Sequence, residues 1–190
     1  MGEDYLQQAA EIYDVSTPEW PGDFDFYRAL AIIPGHSFQH MLTPADQFAC
    51  LLNIRRHLLP GGRLVVHLDH QDLDWLGALP AEAGVSFETA ERVLHPRTGQ
   101  TVQAARSWAY ERSTQTTSVI TEWYMYDEGG GLVDHWERGL IKLHCVFCCE
   151  MEHLLARAGF TIEALYGDFL GAPLTDQSSE MVWVARRSES

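Results

Sequence analysis

Two short apolar runs flank an amphipathic helix in the first half of the sequence, and this arrangement constrains the fold more than any other feature. The runs are residues 29–33 (ALAII) and 64–68 (LVVHL), and each is typical of a strand buried on both faces. Between them, Thr43 and Pro44 begin a helix, which the turn at residues 60–62 (PGG) ends. Because the connections are short, the three elements predict a right-handed β-α-β unit with parallel strands.

The second half of the sequence predicts a different architecture. Strand-like segments run from Ser86 to Leu143, with turn signals at residues 95–99 (HPRTG) and 127–131 (DEGGG), which predicts an antiparallel β-meander. A helix over 148–158 and strands over 161–166 and 181–185 follow. We therefore expect an α/β fold in a single domain, 1–190. Its predicted parts are a helical segment (1–28), a strand-helix-strand unit (29–85), an antiparallel insertion (86–143), and a final helix with closing strands (144–190).

The charge of the chain excludes two classes of partner. Lys and Arg total 13 against 27 Asp and Glu, a net charge of -14, which opposes binding to nucleic acid or to an anionic membrane surface. The sequence has no basic, apolar leader and no apolar stretch long enough to span a membrane. With four cysteines and no export signal, we expect a cytoplasmic protein without disulfides.

Four ordered segments resemble a known enzyme family. They are IIPGHSFQHMLTPADQFACLLNIRRHLLPGGRLVVHL, EMEHLLARAGF, LYGDF and MVWVA, and together they resemble a bacterial small-molecule branch of the class I S-adenosylmethionine-dependent methyltransferases. The resemblance implies a Rossmann-like sheet in which the first segment is the fourth strand, its helix and the fifth strand. It further implies that the meander covers the substrate and that the chain ends in an antiparallel hairpin. The implied activity is methyl transfer from S-adenosylmethionine to a small molecule.

The sequence departs from this family in the cofactor-binding half. Three strand-helix units, on the order of 80 residues, precede the fourth strand in a complete member. Here the N-terminal segment runs directly into residues 29–33, and no G-x-G turn that opens a helix after a strand, with an acidic residue further along, is present. The glycines at 129–131 belong by context to a hairpin turn. We therefore expect a truncated methyltransferase sheet that does not bind S-adenosylmethionine with the micromolar affinity of an intact pocket. A non-catalytic binding module, or an inactive deletion remnant, is the alternative function.

The first candidate catalytic residues follow the first predicted strand. Ligands of doubly wound folds lie beyond the carboxyl ends of the parallel strands, where His36 and His40 are found. Either histidine is suited to remove a proton from an acceptor. The alternative is that His40 packs beside the helix that begins at Pro44.

Other candidates come from the resemblance to the family. Tyr13 and Tyr27 would help to close the cofactor pocket, although they could instead pack on the sheet. On the meander, aromatic and cationic side chains would contact the substrate, or belong to the core. These candidate substrate-binding residues are Arg106, Trp108, Tyr110 and Trp123.

A cysteine-rich segment precedes the last helix. Cys145, Cys148 and Cys149 lie between His144 and His153. A structural zinc site requires four ligands, and the sequence has no second C-x-x-C pair. We expect structural cysteines and no metal site.

The predicted truncation also suggests an oligomeric state. Loss of the first three strands would leave residues 29–33 as an edge and expose apolar surface around Phe48 and Leu52. The sequence therefore predicts a homodimer through this edge.

Overall fold

A computed structural model of the protein describes residues 28–96 and 98–189. None of the described helices has the length and apolar character needed to cross a membrane. The strands are β1 (Leu30–Ile33), β2 (Arg63–Asp69), β3 (Glu88–Thr89), β4 (Val93–Leu94), β5 (Thr101–Glu111), β6 (Thr116–Tyr126), β7 (Leu132–His144), β8 (Phe160–Tyr166) and β9 (Glu180–Arg187). The helices are α1 (Pro44–His57), α2 (Leu73–Ala78) and α3 (Cys148–Arg157), with a 3-10 helix at Ser37–His40.

The first sheet has the strand order β1-β2-β9-β8. Strands β1 and β2 are parallel and are joined by α1, whereas β9 runs antiparallel to both β2 and β8. This arrangement confirms the predicted α/β fold, with its parallel β-α-β unit and its closing antiparallel hairpin. Within the described residues, β1 pairs only with β2 and forms one edge of the sheet.

The main core lies on one face of this sheet. Leu64, Val66 and Leu68 of β2 are fully buried there, in a cluster to which α1 and α3 contribute. Val65 and His67, which point to the other face, are only partly buried. The prediction that β2 is buried on both faces was therefore wrong, because the helices that complete the core pack against a single face.

The start of α1 agrees with the signals in the sequence. The hydroxyl oxygen of Thr43 accepts a hydrogen bond from the backbone N–H of Asp46 at 3.1 Å, and Pro44 is the first helical residue. Leu51 is fully buried, whereas Leu52 is 38% exposed. Phe48 is less exposed than we expected, because the Arg157 guanidinium lies 4.3 Å from the centre of its ring.

The second sheet is entirely antiparallel and confirms the predicted β insertion. Its order is β3-β5-β6-β7, with β4 also paired to β5. The predicted turn at 127–131 joins β6 to β7, and the backbone N–H of Gly131 donates to the Asp127 carboxylate at 2.7 Å. A further turn at 112–115 joins β5 to β6 and was missed because it contains neither glycine nor proline. Gln115 adopts a left-handed conformation there, with φ 52°.

Gln39 connects the two sheets. Its side chain is almost fully buried, and its amide nitrogen donates to the backbone carbonyl of His144 at the end of β7. Its amide oxygen accepts from the backbone N–H of Asp69 at the end of β2. These two hydrogen bonds position the second sheet beside the carboxyl end of the parallel pair.

Candidate functional site

Three ionisable side chains meet beyond the carboxyl end of β1. The Nε2 atoms of His36 and His67 are 3.1 Å apart, and both lie close to the same Glu180 carboxylate oxygen, at 3.1 Å and 2.6 Å respectively. The side chains are 31%, 12% and 28% exposed in the order His36, His67 and Glu180. The cluster is therefore partly shielded from water but accessible to a small ligand.

Strand geometry and a strained turn build this cluster. His67 and Asp69 point to one face of β2, and Glu180 is the cross-strand partner of Asp69 on β9. After β1, Gly35 and His36 have φ values of 58° and 61°, and this turn carries the His36 ring to within 4.4 Å of the His67 ring. A left-handed conformation is uncommon for a residue with a side chain and is often found at functional sites.

The hydrogen bonds define the proton positions in His67. The backbone N–H of Gly35 donates to His67 Nδ1 at 3.2 Å, so Nδ1 acts as an acceptor. The ring proton is then on Nε2, from which it is donated to Glu180. Burial raises the pKa of Glu180, but hydrogen bonds from His67 and His36 outweigh this effect and hold the pKa below its ordinary value. Glu180 is therefore the anionic member of the cluster.

An acidic cleft adjoins the cluster at the end of β2. It consists of cavities of about 570 Å³ and about 200 Å³ that share His70, Gln71 and Asp72 as lining residues. Neither lining includes a lysine or an arginine among the described residues. The carboxylates that line the cleft belong to Asp69, Asp72, Asp74 and Asp176. This composition favours a cationic or hydrogen-bond-donating ligand.

Two tryptophans form one wall of the smaller cavity. Trp75 of α2 and Trp108 of β5 meet edge to face, with ring centres 5.4 Å apart. Asp69 also lies 3.4 Å from His36 Nε2, which connects the cleft to the histidine cluster. An apolar wall, several carboxylates and a histidine are thus available to a single bound molecule.

The two candidate catalytic histidines have different environments. His36 belongs to the cluster, whereas His40 is exposed at the end of the 3-10 helix. The structure therefore gives His36 a carboxylate partner, Glu180 at 3.1 Å.

The candidate substrate residues lie on one face of the second sheet, but they are spread along its strands and do not form a single site. Trp108 lines the cleft. Tyr110 is two residues further along β5, and Arg106 is exposed. Trp123 is the cross-strand partner of Ala104, four residues from Trp108 and therefore about 14 Å away along the strand. Tyr13 and Tyr27, the candidate cofactor residues, lie outside the described part of the chain.

Sequence reasoning missed His67 and Glu180. His67 interrupts an apolar run, and a polar residue inside a strand predicted to be buried was the available signal. Glu180 had no local signal, because only the antiparallel pairing of β2 with β9 brings it to the cluster.

The cysteine-rich segment contributes no side chain to the His36, His67 and Glu180 cluster. Cys145 is buried, Cys148 is partly buried and Cys149 is exposed, and all three are free thiols. Burial raises the pKa of Cys145 to about 11. Their structural role remains a prediction.

Comparison with known proteins gives structural matches only, since no protein-family model and no curated protein matches the sequence. The CcbJ methyltransferase from Streptomyces caelestis is 21% identical with a TM-score of 0.63, and the match covers 84% of this chain and 57% of that one. For an S-adenosylmethionine-dependent methyltransferase from Clostridium acetobutylicum, the identity is 10%, the TM-score 0.66 and the coverages 98% and 72%. A sugar N-methyltransferase from Streptoalloteichus is 21% identical with a TM-score of 0.58, and the match covers 98% of this chain and 69% of that one.

These matches establish the class of fold. The protein shares the Rossmann-like α/β fold of these solved structures and spans 57% of the length of the CcbJ enzyme. At such low identities the likeness concerns the fold, and function has to be argued from the site.

The described residues do not include the glycine-rich turn by which Rossmann-like folds bind a nucleotide cofactor. A phosphate- or nucleoside-binding turn in a Rossmann-like fold needs closely spaced glycines after a strand and an acidic residue further along. Gly35 is the single glycine after β1, and the glycines at 129–131 belong to a hairpin turn. We therefore assign no described residue to S-adenosylmethionine.

Proposed function

We propose that this protein contributes the acceptor-binding side of an S-adenosylmethionine-dependent methyl transfer to a small polar molecule. The observation that carries this proposal is the cluster of His36, His67 and Glu180 beside an acidic cleft. Both lie at the carboxyl ends of β1 and β2, where doubly wound folds bind their ligands.

The lining of the cleft favours an amine as the methyl acceptor. Carboxylates of Asp69 and Asp72 attract an ammonium group, and the Trp75 and Trp108 rings offer faces for a cation or for a sugar ring. One structural neighbour is a sugar N-methyltransferase, which agrees with this chemistry. An ammonium ion must lose a proton before its nitrogen can accept a methyl group, so this acceptor requires a base.

His36 is the proposed base. With its Nε2 proton held by Glu180, the ring can accept the acceptor's proton at Nδ1. The imidazolium that forms is stabilised by Glu180 at 3.1 Å and Asp69 at 3.4 Å. The cofactor would supply the methyl group. Because the described residues provide no cradle for it, we propose that the isolated chain has no autonomous activity.

Binding of D-glucosamine and D-glucose, measured by calorimetry, tests the proposed acceptor class. The two sugars differ by one amine, so we expect glucosamine to bind more tightly at low salt. Asp72→Asn should raise the Kd for glucosamine by about 3- to 10-fold, since a charge-assisted contact is lost. Asparagine is also a good N-cap, so the hydrogen bond from the backbone N–H of Trp75 can persist.

Glu128→Gln, in the turn between β6 and β7, is the matched control for loss of one negative charge. It should leave glucosamine binding unchanged. Equal affinity for the two sugars, unaffected by Asp72→Asn, would contradict the proposed acceptor class.

A non-catalytic binding module is the second candidate, and the missing glycine-rich turn favours it. Methyl transfer from S-adenosylmethionine labelled on its methyl group to glucosamine tests both candidates against an autonomous enzyme. Turnover that His36→Ala abolishes would support an autonomous enzyme. Glucosamine binding without turnover is the result expected of an acceptor-binding part or module.

A further inference from the structure

We propose that His36, His67 and Glu180 form a binding site for a divalent transition metal ion, with Zn²⁺ as the expected ion. Sequence reasoning predicted no metal site, because it considered only the cysteine-rich segment. Two imidazole nitrogens and one carboxylate oxygen are a donor set typical of zinc sites that keep one coordination position open. The proposal does not rest on the proposed function, and the two use the same atoms. A metal at His36 Nε2 replaces the proton that Glu180 holds, so metal binding and proton transfer by His36 are alternative states of the cluster.

The spacing of the donor atoms carries the argument. Bonds of about 2.0–2.2 Å in a tetrahedral zinc site place neighbouring donors about 3.3 Å apart. Here the two Nε2 atoms are 3.1 Å apart, and His36 Nε2 is 3.1 Å from the Glu180 oxygen. Only the contact between His67 and Glu180, at 2.6 Å, has to lengthen. Small rotations of the side chains would therefore produce a tetrahedral site.

Two of the three donors lie on paired strands of the first sheet. His67 lies on β2, between β1 and β9, and Glu180 begins β9, which pairs with β2 on one side and β8 on the other. The Phe169 and His67 rings pack edge to face, with ring centres 4.7 Å apart. Asp69, 3.4 Å from His36 Nε2, is close enough to orient that ring or a metal-bound water.

Metal binding should change the tautomer of His67. In the metal-free protein its proton is on Nε2, because Nδ1 accepts from the Gly35 N–H. A metal at Nε2 requires the proton to be on Nδ1, so the contact with Gly35 must open. Gly35 is exposed in the turn after β1, so water can accept the hydrogen bond of its N–H once this contact opens.

Calorimetric titration of the purified, metal-free protein with Zn²⁺ tests the proposal. We expect one Zn²⁺ ion per chain and at least a tenfold loss of affinity in His67→Ala and in Glu180→Gln. His57→Ala removes an exposed histidine from the end of α1 and should not change affinity. Nitrogen-15 NMR of the histidine rings should show the tautomer change in His67.

Two controls keep the result interpretable. Far-UV circular dichroism and the melting temperature of each variant show whether it is folded, and Glu180→Gln is the milder substitution if His67→Ala unfolds the chain. In the double variant Cys148→Ser/Cys149→Ser, binding should persist. Absence of saturable Zn²⁺ binding, or binding that is lost in the cysteine variant and kept in Glu180→Gln, would overturn the proposal. None of these measurements requires turnover, so their outcome is independent of methyl transfer.

Discussion

Cys145 is a buried thiol where β7 meets α3. Its burial predicts how the free energy of unfolding changes at alkaline pH. Its side chain is shielded from water, and its backbone N–H donates to the Gln115 carbonyl at 2.7 Å. Burial disfavours the thiolate and raises the pKa from 9.0 to about 11. The unfolded chain therefore loses this proton first as the pH rises. The stabilising contribution of the neutral thiol is complete below about pH 9 and is lost as the pH rises through about 11.

Urea denaturation of the wild type and of Cys145→Ala measures this effect. The wild type should lose more free energy of unfolding than the variant between about pH 8 and about pH 10.5. Any cost of the missing sulfur is the same at both pH values. Cys149→Ala changes an exposed cysteine, so this variant should lose as much free energy of unfolding between the two pH values as the wild type does. If wild type and Cys145→Ala lose equal free energy, Cys145 does not titrate as we infer.

The site was only partly predictable because its residues come from distant parts of the chain. His36 was found because it follows a strand at the edge where doubly wound folds bind ligands. Glu180 lies 144 positions away and becomes its neighbour through the register of β2 with β9. No periodicity or motif within a short window encodes that register. His67 was overlooked because a histidine in an apolar run was interpreted as part of the strand.

Helix α1 shows how local chemistry specifies an element. The Thr43 hydroxyl group donates to the Asp46 carboxylate at 2.6 Å and accepts from the Asp46 N–H. Thr43→Ala removes both interactions and should lower the free energy of unfolding by about 1 kcal/mol. Thr43→Ser keeps the oxygen and should remain within a few tenths of a kcal/mol of the wild type. Equal losses in the two variants would mean that the methyl group, and not the cap, stabilises this position.

Elements with strong local signals were predicted well, and those set by packing were not. Helix α1, the PGG turn and the hairpin at 127–131 depend on proline, glycine and capping residues, which act within a few positions. The exposed face of β2 depends on which helices cover the sheet, and this is a long-range property. The turn at 112–115 uses Gln115 in a left-handed conformation, for which the sequence offers no glycine signal.

The first sheet suggests how two copies of the molecule would associate. Strand β1 pairs on one side only within the described residues, and Ile32 is 59% exposed there. Strand β1 contains no lysine or proline, the residues that commonly protect an edge. We therefore predict a homodimer through β1, since a twofold contact would pair both edges and bury both isoleucines.

Sedimentation velocity at tens of micromolar protein checks this prediction. Ile32→Lys should shift the protein toward monomer, because the contact would then hold two like charges. Leu140→Lys, at an exposed position of β7, is the control. A wild-type monomer at this concentration would contradict the prediction, and a dimer weakened only by Leu140→Lys would place the contact on the second sheet instead.

The molecule as a whole has a proposed binding site for the methyl acceptor, but none of its described residues is assigned to S-adenosylmethionine. Calorimetric titration of the purified protein with S-adenosylmethionine examines this combination directly. We predict no saturable heat of binding in the micromolar range, because the sequence contains no glycine-rich turn that opens a helix after a strand, with an acidic residue further along. A saturable isotherm with a micromolar Kd would contradict the proposal that this chain supplies only the acceptor side.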